Sequence, residues 1–326
     1  MRISGLRLYA ISSCAALAML GACGPLPLSQ PARSVVEGKG RASSALVGKD
    51  QSLLYISDFQ AGEVYMVALP SGRLVGKLTG LEDATGVCVD QHGNVFADNQ
   101  AENQVRAYAH GVKSAFRVLN DQSWEPYGCS VDPKTGNLAV CNFRTNQSEG
   151  SIALYFKAKG SAHYYEYSSV YNFWYCAYDG DGNLYADAFT YGKSGSKNPI
   201  FLELTKASKN LRPVSLTPAI TGGGVPALFW DGKHLAIAGT NSGVIDQYKI
   251  SGSTGTRVGV VKLDGASEVS GPFWITPNGK AQTLYAPIVE DNIGSVGVYR
   301  YPAGGKRRQN LYDAPLPFAA AVSMPN

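Results

Sequence analysis

The side chains of this sequence best suited to chemistry are oxygen donors that recur at one position of a repeated pattern. Asp58, Asp98 and Asp187 each close a short apolar segment, and Asn142 stands at the matching place just after Cys141. Glu125 and Glu268 precede other apolar segments. Hard cations such as Ca²⁺ are held by several oxygens of this kind, so Asp58, Asp98, Glu125, Asn142 and Asp187 form a candidate set for one Ca²⁺ or other divalent ion. The same residues have a plainer use, because Asp and Asn at strand ends bond the backbone of their own turns. Both uses fit the spacing. Trp124 and Trp174 stand just ahead of apolar segments, as an aromatic platform for a flat ligand would, or as wedges between packed sheets.

Other chemistries lack their usual supports. His92, His110, His163 and His234 are scattered, and no Gly-x-Ser-x-Gly, His-Glu-x-x-His, Cys-x-x-Cys or phosphate loop occurs. No catalytic residue is assigned. The net charge is +4, with Lys and Arg dispersed apart from Lys306-Arg307-Arg308, so no nucleic-acid partner is indicated.

The elements that must hold these side chains repeat along the chain. Gly86-Val-Cys-Val-Asp90 leads through Gly93-Asn94 to Val95-Phe-Ala-Asp98; Gly128-Cys-Ser-Val-Asp132 leads through Gly136-Asn137 to Leu138-Ala-Val-Cys141; Tyr175-Cys-Ala-Tyr-Asp179 leads through Gly182-Asn183 to Leu184-Tyr-Ala-Asp187. Each unit is a strand, an Asp that bonds local amides, a glycine turn and a second strand. Looser copies end at Asp231 and Thr276, and third strands recur, as in Gln104–Tyr108 and Ser295–Tyr301. A period of roughly 40 to 50 residues accommodates four short strands, the size of a propeller blade. The expected fold is all-β: a six-bladed β-propeller with four antiparallel strands per blade. The first blade lacks an inner strand. Phe318–Ser323 at the C-terminus supplies one in the favoured reading, and Ser44–Val47 is the competing source.

The segment Gly86–Tyr108 resembles the NHL repeat, and residues 50 to 323 as a whole look like exported propellers grouped with the gluconolactonase (senescence-marker) family. That resemblance implies a metal-dependent lactone or ester hydrolase, with one ion at the channel mouth, as an alternative activity.

Cys129 and Cys141 flank the turn Asp132–Asn137 evenly, so they are a candidate disulfide if they sit opposite each other. The alternative makes Cys88, Cys129, Cys141 and Cys176 small buried apolar residues.

The N-terminus reads as an address. Arg2 and Arg7 precede an apolar run from Leu8 to Leu20, and Leu20-Gly21-Ala22-Cys23 resembles a lipobox. A helix of this run would span about 20 Å against a hydrocarbon core of about 30 Å, so a cleaved signal fits better than a permanent span. The expected organisation is a signal peptide over 1–22, a lipidated Cys23 with a Gly/Pro/Ser-rich tether over 23–45, and the propeller over 46–326. The partners expected are a membrane, through the N-terminal lipid, and an unknown small ligand or protein. The expected function is an exported, membrane-anchored ligand-binding or protein-interaction module, with the hydrolase and a surface scaffold without a small ligand as alternatives. Cys23→Ser is predicted to leave export intact while abolishing fatty-acid labelling; a variant that still incorporates labelled palmitate would refute the lipobox.

Overall fold

A computed structural model describes residues 50–122, 125–143, 149–168, 170–191, 197–220, 225–239, 242–276, 282–290, 293–314 and 316–325. The signal segment, Cys23, the tether, Ser44–Val47 and Trp124 lie outside the described residues. Met1–Ser44 and Ala45–Asn326 are separate units, and every described residue belongs to the second. Among the described residues the chain is nearly all strand, with two short 3-10 turns at Gln100–Glu102 and Phe156–Ala158. No described helix is long and apolar enough to cross a membrane.

The first sheet contains β1 (Leu53–Asp58), β2 (Glu63–Ala68) and β3 (Arg73–Leu78), and its fourth strand is Pro317–Ser323 from the far end of the chain. The second holds β4 (Ala84–Val89), β5 (Val95–Asn99), β6 (Gln104–Tyr108) and β7 (Arg117–Asn120). The third holds β8 (Glu125–Val131), β9 (Leu138–Phe143), β10 (Ile152–Tyr155) and β11 (His163–Tyr165). All three are antiparallel throughout.

The later strands repeat the four-strand pattern less cleanly. β12 (Val170–Tyr178) to β15 (Arg212–Thr217) form one antiparallel set, and β16 (Ala227–Trp230), β17 (Leu235–Ala238), β18 (Val244–Ser251) and β19 (Thr254–Asp264) form another; β13 is Leu184–Tyr191 and β14 is Lys197–Leu204. The last set has a broken inner strand, β20 (Glu268–Val269) and β21 (Trp274–Ile275), beside β22 (Gln282–Glu290), β23 (Ile293–Tyr301) and β24 (Gly304–Ala314). Pro317–Ser323 is β25. Short parallel pairings, Ser215–Thr217 with Thr254–Thr256 and Leu263–Asp264 with Gly305–Lys306, join these sets into a 13-stranded path. The join follows from length: β19 and β24 each run 11 residues and reach the neighbouring edge.

Inner strands of successive sheets pack side by side, β25 against β4, β4 against β8, β8 against β12 and β12 against β16, while β22 packs against β25. Four-stranded antiparallel sheets packed in this way are the arrangement of a β-propeller.

The turns that connect inner to second strands form as their residues dictate. Asp90 Oδ1 accepts the N–H groups of His92 and Asn94, both at 2.8 Å, and Asp179 Oδ1 accepts those of Asp181 and Asn183 at 2.8 and 2.9 Å. Gly93 and Gly182 take φ of +73° and +88° there, which a side chain would resist.

β25 lies beside β1 from Leu53↔Ser323 to Asp58↔Pro317. Leu53, Leu54 and Ile56 are fully buried, as are Ala319 to Val322 to within a few per cent. The second sheet clamps this join. His110 Nδ1 meets Ser323 Oγ at 2.7 Å, and that hydroxyl donates to the Gly93 carbonyl at 2.6 Å.

The disulfide joins Cys88 to Cys129, with Cα atoms 5.8 Å apart, which corrects the expected Cys129–Cys141 pairing. The register runs unbroken from the turn, Val131↔Leu138 to Cys129↔Val140 and Gly128↔Cys141, so Cys141 lies one residue farther from the turn than Cys129. A one-residue offset puts the two side chains on opposite faces of the sheet. Cys129 therefore faces the second sheet, and Cys141 faces the fourth, where it and Cys176 are free and buried. Free, buried thiols at 141 and 176 follow the alternative reading, and Cys88 and Cys129 do not.

Removing residues 317–326 is predicted to abolish cooperative melting, because β1 would lose its inner partner and expose an apolar edge. A truncated chain melting within a degree or two of the parent would show that another segment closes the first sheet.

Candidate functional site

The structure gives two of the five candidate oxygen donors, Asp58 and Asp187, backbone partners. Asp58 Oδ1 accepts the Ala61 N–H at 2.9 Å, and its Oδ2 accepts the Leu316 N–H at 3.3 Å. Asp187 Oδ1 accepts the Tyr175 N–H at 2.7 Å. Asn142 Nδ2 donates to Ser151 Oγ at 3.2 Å, and Glu125 opens β8 half-buried. Among the described residues no three His, Cys, Asp or Glu side chains converge so as to hold a metal ion. Burial raises the Asp187 carboxyl well above the usual carboxylate range, against the pull of the Tyr175 amide.

Asp98 differs from its repeat partners. It is fully buried, and neither carboxylate oxygen has a hydrogen-bond donor among the described residues. It abuts Gly86, where a side-chain Cβ would collide with Oδ2. Burial, and then the neighbouring Asp121, push its pKa well up, since both disfavour the charged form. Asp121 follows β7 and is equally buried. Burial raises it to about 7, while Tyr164, Asn142 and Tyr155 pull it partly back. These side chains make a polar seam between the second and third sheets. The sequence pattern missed Asp121, because it lies in the connection between β7 and β8, outside the strand–turn–strand pattern that repeats.

Of the aromatic candidates, Trp124 lies outside the described residues. Trp174 is half-buried in a cluster, edge-on to Tyr127 at 4.8 Å and to Phe143 at 4.2 Å. Phe318 of β25 meets Tyr127 edge-on at 4.9 Å. The cluster wedges the third and fourth sheets against the closing strand.

The concavity lies elsewhere. A cavity of about 580 Å³ is walled by the inner strands β4, β8, β12, β16, β21 and β25, so it occupies the space those strands enclose. Phe229, Trp230, Phe273 and Trp274 supply most of its aromatic surface, and the Cys88–Cys129 disulfide forms part of the wall. Phe229 and Trp274 meet at 5.4 Å, steeply inclined. It opens beside the turns that hold Asp90, Pro133, Gly180 and Asp231, the turns that follow the inner strands. The rim carboxylate of Asp231 is occupied: it accepts Tyr301 Oη at 2.7 Å, Gln247 Nε2 at 2.9 Å and the amides of Lys233 and His234. Burial opposes its charge, but these donors outweigh burial and hold its pKa below the usual value. An apolar cavity with few free polar groups binds by shape and aromatic contact. One signal for it was present in the sequence: Trp230 and Trp274 fall within two residues of the repeat anchors Asp231 and Thr276.

No family model matches the chain, and no curated protein matches it. Solved structures do. A chain of the nidogen/laminin complex, a β-propeller, aligns at TM-score 0.61 and 14% identity over 84% of this chain and 99% of its own. A protein of unknown function from Bacteroides caccae aligns at 0.59 and 13%, with the same coverage. A hydrazine synthase from Kuenenia stuttgartiensis aligns at 0.55 and 16%, over 76% of this chain and 74% of its own. Identities this low establish a shared β-propeller-like fold and nothing of activity.

The Asp121 carboxyl is predicted to make stability depend on pH. Its folded pKa, about 7, exceeds the unfolded value near 4. Its contribution is therefore complete below about pH 4 and is lost as pH rises through about 7. The melting temperature of the parent should fall relative to Asp121→Asn between those limits; parallel pH profiles would mean that Asp121 is ionised in the fold.

Proposed function

We propose that this chain is an exported six-bladed propeller, tethered through Cys23, that binds an apolar, ring-containing ligand or protein side chain in its axial cavity. Residues 1–22 are the signal peptide, 23–45 the lipidated tether and 46–326 the propeller. The strand sets β25-β1-β2-β3, β4–β7, β8–β11, β12–β15, β16–β19 and β20–β24 are the blades. The Gly86–Tyr108 repeat supports a place among NHL-type and gluconolactonase-like propellers.

The observation that carries the binding function is the cavity of about 580 Å³ with Phe229, Trp230, Phe273 and Trp274 in its wall. Its volume falls within the range of small-molecule sites, and a pocket rich in tryptophan can equally take an anchor residue from a partner. The likeness to a chain of the nidogen/laminin complex supports an interaction module as the general class.

The test is titration with N-phenyl-1-naphthylamine, a neutral apolar ring probe, read by probe and tryptophan fluorescence. Binding should weaken roughly tenfold, about 1.4 kcal/mol, in Trp274→Ala and in Phe229→Glu, whereas Trp174→Phe should bind within about twofold of the parent. Unchanged affinity in both cavity variants would remove the cavity as the site.

A further inference from the structure

Two segments on neighbouring sheets combine exposed apolar side chains with positive charge. The connection from β6 into β7 carries Val112, Phe116 and Val118, which are 46%, 50% and 47% exposed, and the turn after β10 carries Phe156, 57% exposed. Phe116 and Phe156 are the phenylalanines among the large apolar side chains that stand exposed. Phe116 immediately precedes β7, and within the strand Val118 points outward while the adjacent Leu119 is buried.

The same segments hold Lys113, Arg117, Lys157 and Lys159, and neither 109–120 nor 155–165 contains an acidic residue. They are physically joined: Arg117 Nη1 donates to the Ala158 carbonyl at 2.9 Å, and its guanidinium lies 5.4 Å from the Phe116 ring. On the other side, Lys113 lies across β3, where a Cβ at Gly76 would come within 2.7 Å of its Cε. The surface therefore runs from the first sheet to the third. The exposed pair Val258 and Val260 on β19 lacks this character, since the adjacent Arg257 is paired with Asp246 at 3.3 Å.

From this surface we infer that the outer edge of the second and third sheets is a docking face for an anionic lipid bilayer, with Phe116 and Phe156 entering the interface and the four basic side chains meeting phosphate headgroups. Aromatic rings settle at the level of the headgroups, and lysine or arginine stems lie along apolar surface while their charged ends reach anionic lipid. The charge balance selects this occupant. A patch made to receive a second copy of the same patch would bring its four cations against another four.

The inference deepens the tethered reading, because a lipid at Cys23 would hold the face near a bilayer; the face itself is tested without that lipid. The full chain carrying Cys23→Ser, as exported, is sedimented with vesicles of phosphatidylcholine alone or with about one-third phosphatidylglycerol. Partition should be on the order of tenfold greater on anionic vesicles and should weaken as salt is raised. Phe116→Asp with Phe156→Asp in that same chain should abolish the preference while its melting temperature stays within a few degrees, since both side chains are exposed. Equal partition of parent and double variant would overturn the inference. So would dimerisation of the parent that the double variant abolishes, because the patch would then be a self-interface. Absence of fatty-acid labelling on the unsubstituted chain, with vesicle binding retained by Cys23→Ser, would remove the tether and leave the docking face standing.

Discussion

The interaction on which the rest depends is the backbone pairing of β1 with β25. Without an innermost strand, β1 would be the edge of its sheet, with a row of unpaired amides and carbonyls. Here the first sheet takes its innermost strand from the opposite end of the chain, along a register from Leu53↔Ser323 to Asp58↔Pro317. The rest of the interior inherits that join. Ala320 and Val322 wall the cavity, Phe318 anchors the aromatic cluster around Tyr127, and Ser323 receives the turn of the second sheet through His110.

Closure of this kind explains why similar carboxylates have different fates. Asp58 sits beside β25 and takes its amide at Leu316; Asp187 sits across a bulge from Tyr175 and takes that amide. Asp98 occupies the matching place but faces Gly86 and the Asp121 seam, where no donor reaches it among the described residues. Burial without a donor disfavours the charged form and raises the Asp98 pKa. The repeat supplies one residue type, and the neighbouring sheet determines which donors it meets.

The cavity and the outer face divide the molecule's surfaces by chemistry. Inner strands present Phe229, Trp230, Phe273 and Trp274 inward, while the edge of the second and third sheets presents Phe116 and Phe156 outward.

Much of the architecture was legible in the residues. The Asp-to-Gly-Asn turns and the strand pattern follow from local rules: a period of two, a side chain that bonds its own turn, and a glycine where φ must be positive. Two segments, Phe318–Ser323 and Ser44–Val47, fit the closing strand by sequence, and the pairing of β25 with β1 is tertiary. The cysteine pairing was not legible, because the closing pair of the turn, Val131↔Leu138, sets Cys129 opposite Val140, and the partner Cys88 lies on another sheet. Nor was the location of the cavity, which was sought near Trp124 and Trp174 and instead opens beside Asp90 and Asp231. By itself the sequence determined which segments are strands and which faces are apolar, since both depend on neighbours a few residues away. Tertiary structure alone decided which thiols join, which carboxyls are buried without a donor and where the inner strands leave space, because those outcomes depend on residues of different strands and sheets being brought into contact, as for the disulfide whose cysteines are 41 positions apart.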